Sequence, residues 1–139
     1  VSVRQRLPAT RHSLTHKARI IVDPDNRSED VRLYITAGWD AQNILREFFL
    51  EGELDIVRAY DDWAISCSIL LQSLWTSDDL VLKFIGTNRP PHGKCVVDEH
   101  QGDTRIRSCL SIPDYTVRWL GLRFGSNSLK ERLVLERRL

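Results

Sequence analysis

The sequence contains no methionine, only three cysteines, and no apolar run near the ~20 residues that cross a bilayer. Each shortage narrows the reading. Without a long apolar segment no membrane partner is expected. The arginine-rich start also lacks the apolar stretch of a secretory signal, so a cytoplasmic location is expected. Cys67, Cys95 and Cys109 are odd in number and form no CxxC, which argues against a disulfide framework and against the common zinc motifs. No Walker sequence and no GxGxxG is present, so a standard mononucleotide fold is not implied and no cofactor is expected. Val1 in place of Met reads as a non-standard start, processing or a fragment boundary.

With 139 residues, 42% hydrophobic and 28% charged, the chain is expected to form a single globular domain over 1–139 that buries its own core. Arginine outnumbers lysine sixteen to four, which favours recognition of anions by planar guanidinium groups. Charge is unevenly placed. Residues 1–20 hold five basic and no acidic side chains, residues 21–104 hold seven and sixteen, and residues 105–139 hold eight and three. Two basic ends flanking an acidic middle suit pairing within the chain or between protomers, hence a homo-oligomer, or presentation of the ends to an anionic ligand.

The periodicities predict an α+β fold, a small antiparallel sheet packed on a long central helix with short helices from the C-terminal half. Residues 1–14 read as extended or irregular, Thr15 to Val22 and Val31 to Trp39 as strands, and Ile44 to Leu50 as a third strand. From Leu54 to Trp75 the pattern Ile56, Tyr60, Trp63, Cys67, Leu74 is helical. Ser77 reads as the cap of a short helix ending near Gly86. Residues 86–109 show no periodic face. Ser111 with Asp114 forms a capping box, Pro113 suits a first turn and Gly125 a stop, so residues 111–125 read as a helix buried through Ile112, Tyr115, Trp119 and Leu122. Ser128 with Glu131 repeats the box and opens a basic tail over 126–139. Leu133 and Leu135 also alternate as in a strand there, with the helix preferred.

The segment I-P-D-Y-T-V-R-W-L-G-L-R-F (Ile112 to Phe124) resembles the end of the C-terminal, TSCPD-bearing region of cobalamin-dependent (class II) ribonucleotide reductases. R-L-P-A-T-R-H-S-L-T-H-K (Arg6 to Lys17), L-Y-I-T-A-G (Leu33 to Gly38), D-D-W-A-I-S-C-S-I-L-L-Q (Asp61 to Gln72), L-V-L-K-F (Leu80 to Phe84) and R-P-P-H-G (Arg89 to Gly93) resemble the rest of that region in the same order, covering about 6–124. The letters T-S-C-P-D and the paired CxxC motifs are absent, and the chain has no room for a catalytic barrel. The resemblance therefore implies a non-catalytic accessory or regulatory domain in nucleotide metabolism, with a ribonucleotide reductase as partner and no catalytic residue.

The residues themselves suggest an anion pocket for a phosphate-bearing nucleotide. Arg6, Arg11, His12, Thr15, His16 and Lys17 from the start would meet Arg89, His92, Gly93 and Lys94 from the long loop. Guanidinium and ammonium groups would hold phosphate oxygens, and Gly93 would admit the ligand to the backbone. The simpler reading has these arginines capping the acidic helix. A different class of function, a small oligomeric protein that sequesters nucleotides or nucleotide messengers, needs the same pocket. Nucleic-acid binding by the basic tail is not favoured, because that tail has no interleaved aromatics. His92, Cys95, His100 and Cys109 are zinc-type atoms without paired spacing, so no metal is expected. Asp61 and Asp62 diverge around a helix and read as solvated charge. Trp63 and Trp119 are expected in the core.

Overall fold

The computed structural model describes residues 4, 6–22, 29–52, 55–86, 95–98 and 100–137. Strands β1 (His12–Val22), β2 (Glu29–Trp39) and β3 (Leu45–Glu51) form an antiparallel meander. Short strands β4 (Cys95–Val97) and β5 (Ser108–Cys109) extend it on the far side of β1, giving the order β3-β2-β1-β4-β5. The helices are α1 (Asp55–Ala59), α2 (Asp61–Leu71), α3 (Ser77–Phe84), α4 (Ile112–Phe124) and α5 (Asn127–Arg137).

Alternation along the strands decides which face is covered. Ala18 and Ile20 of β1 lie opposite Leu33 and Val31 of β2, and all four are wholly buried. The intervening pairs, Lys17 with Tyr34 and Arg19 with Arg32, belong to the opposite face, where Arg32 and Lys17 are exposed. One face of the sheet thus supplies the core, and a strand's period of two puts the polar residues on the other.

The edge strand β3 is protected by α2. Ser68 Oγ accepts from Phe48 N–H at 2.9 Å and lies 2.9 Å from Phe48 C=O and 2.8 Å from Ala64 C=O, where its single proton goes. Asp61 Oδ1 accepts from Leu50 N–H at 3.3 Å, so this carboxylate, expected to be solvated charge, anchors the helix to the sheet edge instead. Covering an edge in this way removes a template for unwanted strand pairing.

The expected α+β class and the third strand are present, and several local expectations change. The long helix over 54–75 is two helices, because Tyr60 N–H bonds Val57 C=O in a tight turn and α2 ends at Leu71. The expected cap Ser77 is the first helical residue. Thr76 is the cap, with Asp79 returning the second bond of the box at 2.9 Å. The strand β1 begins at His12 rather than Thr15, and residues 86–109 contribute two strands. The tail is helical, but Ser126 rather than Ser128 opens it, since its Oγ accepts from Leu129 N–H at 3.2 Å.

The expected α4 is present with a cap at each end, but only one half of the expected capping box forms. Ser111 Oγ accepts from Asp114 N–H, Pro113 lies in the first turn and Gly125 caps the end. Asp114 itself is wholly buried and accepts from Gly86 N–H at 2.6 Å, Leu110 N–H at 2.9 Å and Arg118 Nε at 3.0 Å. A buried carboxylate persists only with such partners. Gly121 faces the neighbouring helices so closely that an added Cβ would lie 2.8 Å from Leu133 Cδ1 and 3.1 Å from Val81 Cγ2. Trp119 is 4% exposed, as expected, whereas Trp63 is only half-buried and meets Phe48 and Phe84 edge-on. No helix among the described residues is long and apolar enough to cross a membrane.

Candidate anion-binding cavity

At the His12 end of β1 a cavity of about 540 Å³ opens between the segment 6–12 and the β2–β3 turn. Its walls include Arg6, Arg11, His12, Trp39, Asp40 and Arg46. Antiparallel pairing makes the floor, because it sets His12 opposite Trp39, and the two rings stack at 6.2 Å with 12° between planes. Trp39 is held from below by Phe124 at 5.7 Å and by the Arg123 guanidinium, 5.7 Å from its centroid. Such layering fixes an aromatic platform by dispersion and by the attraction of a cation to a ring face.

The turn beside it is built by one carboxylate. Asp40 Oδ1 accepts from Gln42 N–H at 2.9 Å and from Ile44 N–H at 3.0 Å, while Oδ2 accepts from Arg46 Nε at 2.9 Å. Asn43 takes a left-handed φ of 64°, a conformation asparagine tolerates. Burial pushes the Asp40 pKa up, but the backbone and Arg46 hydrogen bonds outweigh it and hold the group below the usual carboxylate value. Arg46 also donates from Nη1 to Leu71 C=O at 3.1 Å, which locks its guanidinium against the end of α2.

On the opposite wall Arg11 Nη1 pairs with Glu47, whose side chain is 10% exposed. An added Cβ on Gly38 would lie 2.9 Å from Glu47 Cγ and 3.1 Å from Leu7 Cδ1, so the bare glycine leaves room for both side chains over β2. Three arginines and one carboxylate, Asp40, therefore line the cavity, and Glu47 pairs with Arg11 outside its lining, which leaves the site with a net positive charge. Each guanidinium carries five N–H groups, and the pairs with Glu47 and Asp40 leave several of them able to meet a further anion. Arg6 is exposed at the mouth.

The sheet separates the expected site residues. Arg6, Arg11 and His12 share this cavity. Thr15 and Lys17 stand on the uncovered face, Thr15 Oγ1 3.0 Å from Thr36 Oγ1 and Lys17 Nζ 6.0 Å from the Tyr34 ring centroid. His16 points the other way, under α4, stacked on Trp119 at 4.7 Å with Nε2 2.7 Å from the Tyr115 hydroxyl. That hydroxyl also accepts from Asp103 N–H at 3.1 Å, so it links the His16 ring to the β4–β5 connection. Burial lowers the His16 pKa from 6.5, against the pull of Asp103, and so favours the neutral ring. Strand alternation forbids Thr15, His16 and Lys17 from converging on one ligand. Arg89, His92, Gly93 and Lys94 lie outside the described residues.

Trp39, Asp40 and Arg46 join the cavity without having been expected there. The available signal was the strand pair itself, since a hairpin between Trp39 and Leu45 must return Arg46 beside the end of β1. A second cavity, about 710 Å³, lies under the β4–β5 connection between Val96, Asp98, His100, Asp103, Ile106 and Arg107. Its carboxylates are already engaged, Asp98 by Arg19 at 2.8 Å and Asp103 by Arg105 at 2.7 Å.

No family model matches the chain, and no solved structure matches it. A vitamin B12-dependent ribonucleotide reductase of Rhodopirellula baltica (strain DSM 10527 / NCIMB 13988 / SH1) is 31% identical over 134 residues, covering 90% of this chain. The aligned part is 11% of the reductase, so this chain spans a small fraction of that protein. The chain is thus distantly related to cobalamin-dependent ribonucleotide reductase.

Proposed function

We propose that this chain is a non-catalytic accessory domain that binds a phosphate-bearing nucleotide in the cavity at the His12 end of the sheet and so serves a ribonucleotide reductase in a regulatory or assembling role. The supporting observation is the meeting of Arg6, Arg11 and Arg46 with the stacked His12 and Trp39 around about 540 Å³. Guanidinium groups bind phosphate oxygens by charge-assisted bonds, and the exposed His12 ring, stacked on Trp39, offers an aromatic surface to a nucleobase. The distant relationship supplies the metabolic setting. The B12 dependence in the relative's name belongs to a protein of which this chain spans 11%, and no reaction step is assigned to residues here.

Calorimetry over a panel of mono-, di-, tri- and cyclic nucleotides tests the reading. The parent is expected to bind one of them, and Arg6→Ala to weaken it about tenfold through loss of a charge-assisted contact worth ~1.5–3 kcal/mol. Equal affinity in the variant would remove Arg6 from the site, and no heat with any nucleotide would overturn the proposal.

A further inference from the structure

Cys95 and Cys109 face each other across the β4–β5 ladder. Antiparallel partners stand about 4.5–5.5 Å apart at Cα. That spacing falls inside the roughly 4.4–6.8 Å window a disulfide spans. Both residues are buried, at 1% and 4% exposure, and their thiols are hydrogen-bonded to each other. The Cys109 S–H donates to the Cys95 sulfur, which lowers the Cys95 pKa and raises that of Cys109. Cys67 offers a contrast within the same chain. It lies in α2, and burial pushes its thiol up to about 12.

The two strands pair Cys95 with Cys109 and Val96 with Ser108, and Val97 N–H adds one bond to Arg107 C=O at 2.9 Å. Between them runs the connection that carries Asp98 and Asp103 and donates Asp103 N–H to Tyr115. A covalent link at the base of this hairpin would close that connection into a ring and tie it to the entry of α4.

We propose that Cys95 and Cys109 are a modification site, a dithiol that a peroxide closes to a disulfide and a small thiol reductant reopens. The Cys95 sulfur attacks one peroxide oxygen as the thiolate, the O–O bond breaks, hydroxide leaves and a sulfenic acid forms. The Cys109 sulfur then attacks the Cys95 sulfur, the S–O bond breaks and the second hydroxide leaves. The two thiol protons end in the two waters formed, so the peroxide gains two electrons and the thiol pair loses two. Cys95 takes the first step because the S–H of its neighbour stabilises its thiolate. Peroxide is small enough to reach a buried pair through local opening of so short a ladder.

The test treats the folded Cys67→Ser chain with hydrogen peroxide, quenches, denatures, counts thiols and maps peptides by mass spectrometry. The pair is expected to disappear together, with a mass lower by two hydrogens, a peptide linking Cys95 to Cys109, and full recovery in dithiothreitol. In the parent, Cys67 is expected to react at least about tenfold more slowly than the pair. Oxygen addition without a link, links between separate chains, or thiols that survive conditions consuming a small-molecule dithiol would each overturn the proposal. Cys109→Ala should instead yield a Cys95 sulfenic acid trapped by dimedone. Should that variant fail to fold, the Cys67→Ser result decides alone.

Discussion

The two ends of strand β1 differ in what holds them. At the Val22 end, Ile20 to Val22 are paired on both sides, with β2 and with β4, and Arg19 continues the contact through Gln101 and Asp98. At the His12 end β1 pairs with β2, and among the described residues no strand joins its other edge there; the segment 6–11 folds over the sheet instead. The first end is closed by pairing on both edges, has its carboxylates already matched by arginine, and lies beside a pair of buried thiols. The second is rich in arginine and open to a cavity. Where the ladder is complete, backbone groups satisfy each other; where it stops, side chains must do so, and their donors outnumber their acceptors.

The contrast is broken most severely from the closed end. Asp114→Ala removes a carboxylate that accepts three hydrogen bonds in the interior, and a loss of about 3–5 kcal/mol is expected in denaturant unfolding, as for breaking a buried pair. Trp119→Ala is expected to cost a similar ~3–5 kcal/mol, and the half-buried Trp63→Ala less, about 1–3 kcal/mol. Equal losses at the two tryptophans would show that α2 is packed as fully as α4.

A smaller effect is expected from pH. His16 has a folded pKa below its unfolded value of 6.5, so the unfolded chain binds the extra proton first. The neutral ring's contribution is complete above 6.5 and is lost as pH falls from there through the lower folded value. Melting temperatures taken from pH 7.5 down to 5 should therefore fall more steeply in the parent than in His16→Gln. Parallel curves would place the histidine in water rather than against Trp119.

How much of this was legible in the sequence follows the range of each signal. The helix α4 was readable because its cap, proline, glycine and apolar face are all local. The caps at Thr76 and Ser126 were misplaced by one and two positions, because neighbouring serines offer competing hydroxyls and local spacing does not rank them. The strands β4 and β5 have too few residues to show a period and exist through long-range pairing, β4 with β1 and β5 with β4. For the cavity, the basic run from Arg6 to Lys17 raised the expectation of an anion site, yet the cavity takes only its first half, because Thr15 to Lys17 lie further along β1, with His16 on the face opposite Thr15 and Lys17. Arg46 and Trp39 reach it through β1–β2–β3 pairing, which no local pattern shows.

The smallest expected effect on stability is at the open end, where Arg6→Ala should change unfolding by no more than about 0.5 kcal/mol, since the residue is exposed. A larger loss would make Arg6 part of the scaffold. Nucleotide titration followed by NMR at the four tryptophan indole N–H signals is the most direct measurement of the account. Nucleotide binding at this cavity predicts that the Trp39 signal shifts with saturation while those of Trp63, Trp75 and Trp119 stay in place. A titration that moves Trp63, Trp75 or Trp119 and leaves Trp39 unchanged would contradict it.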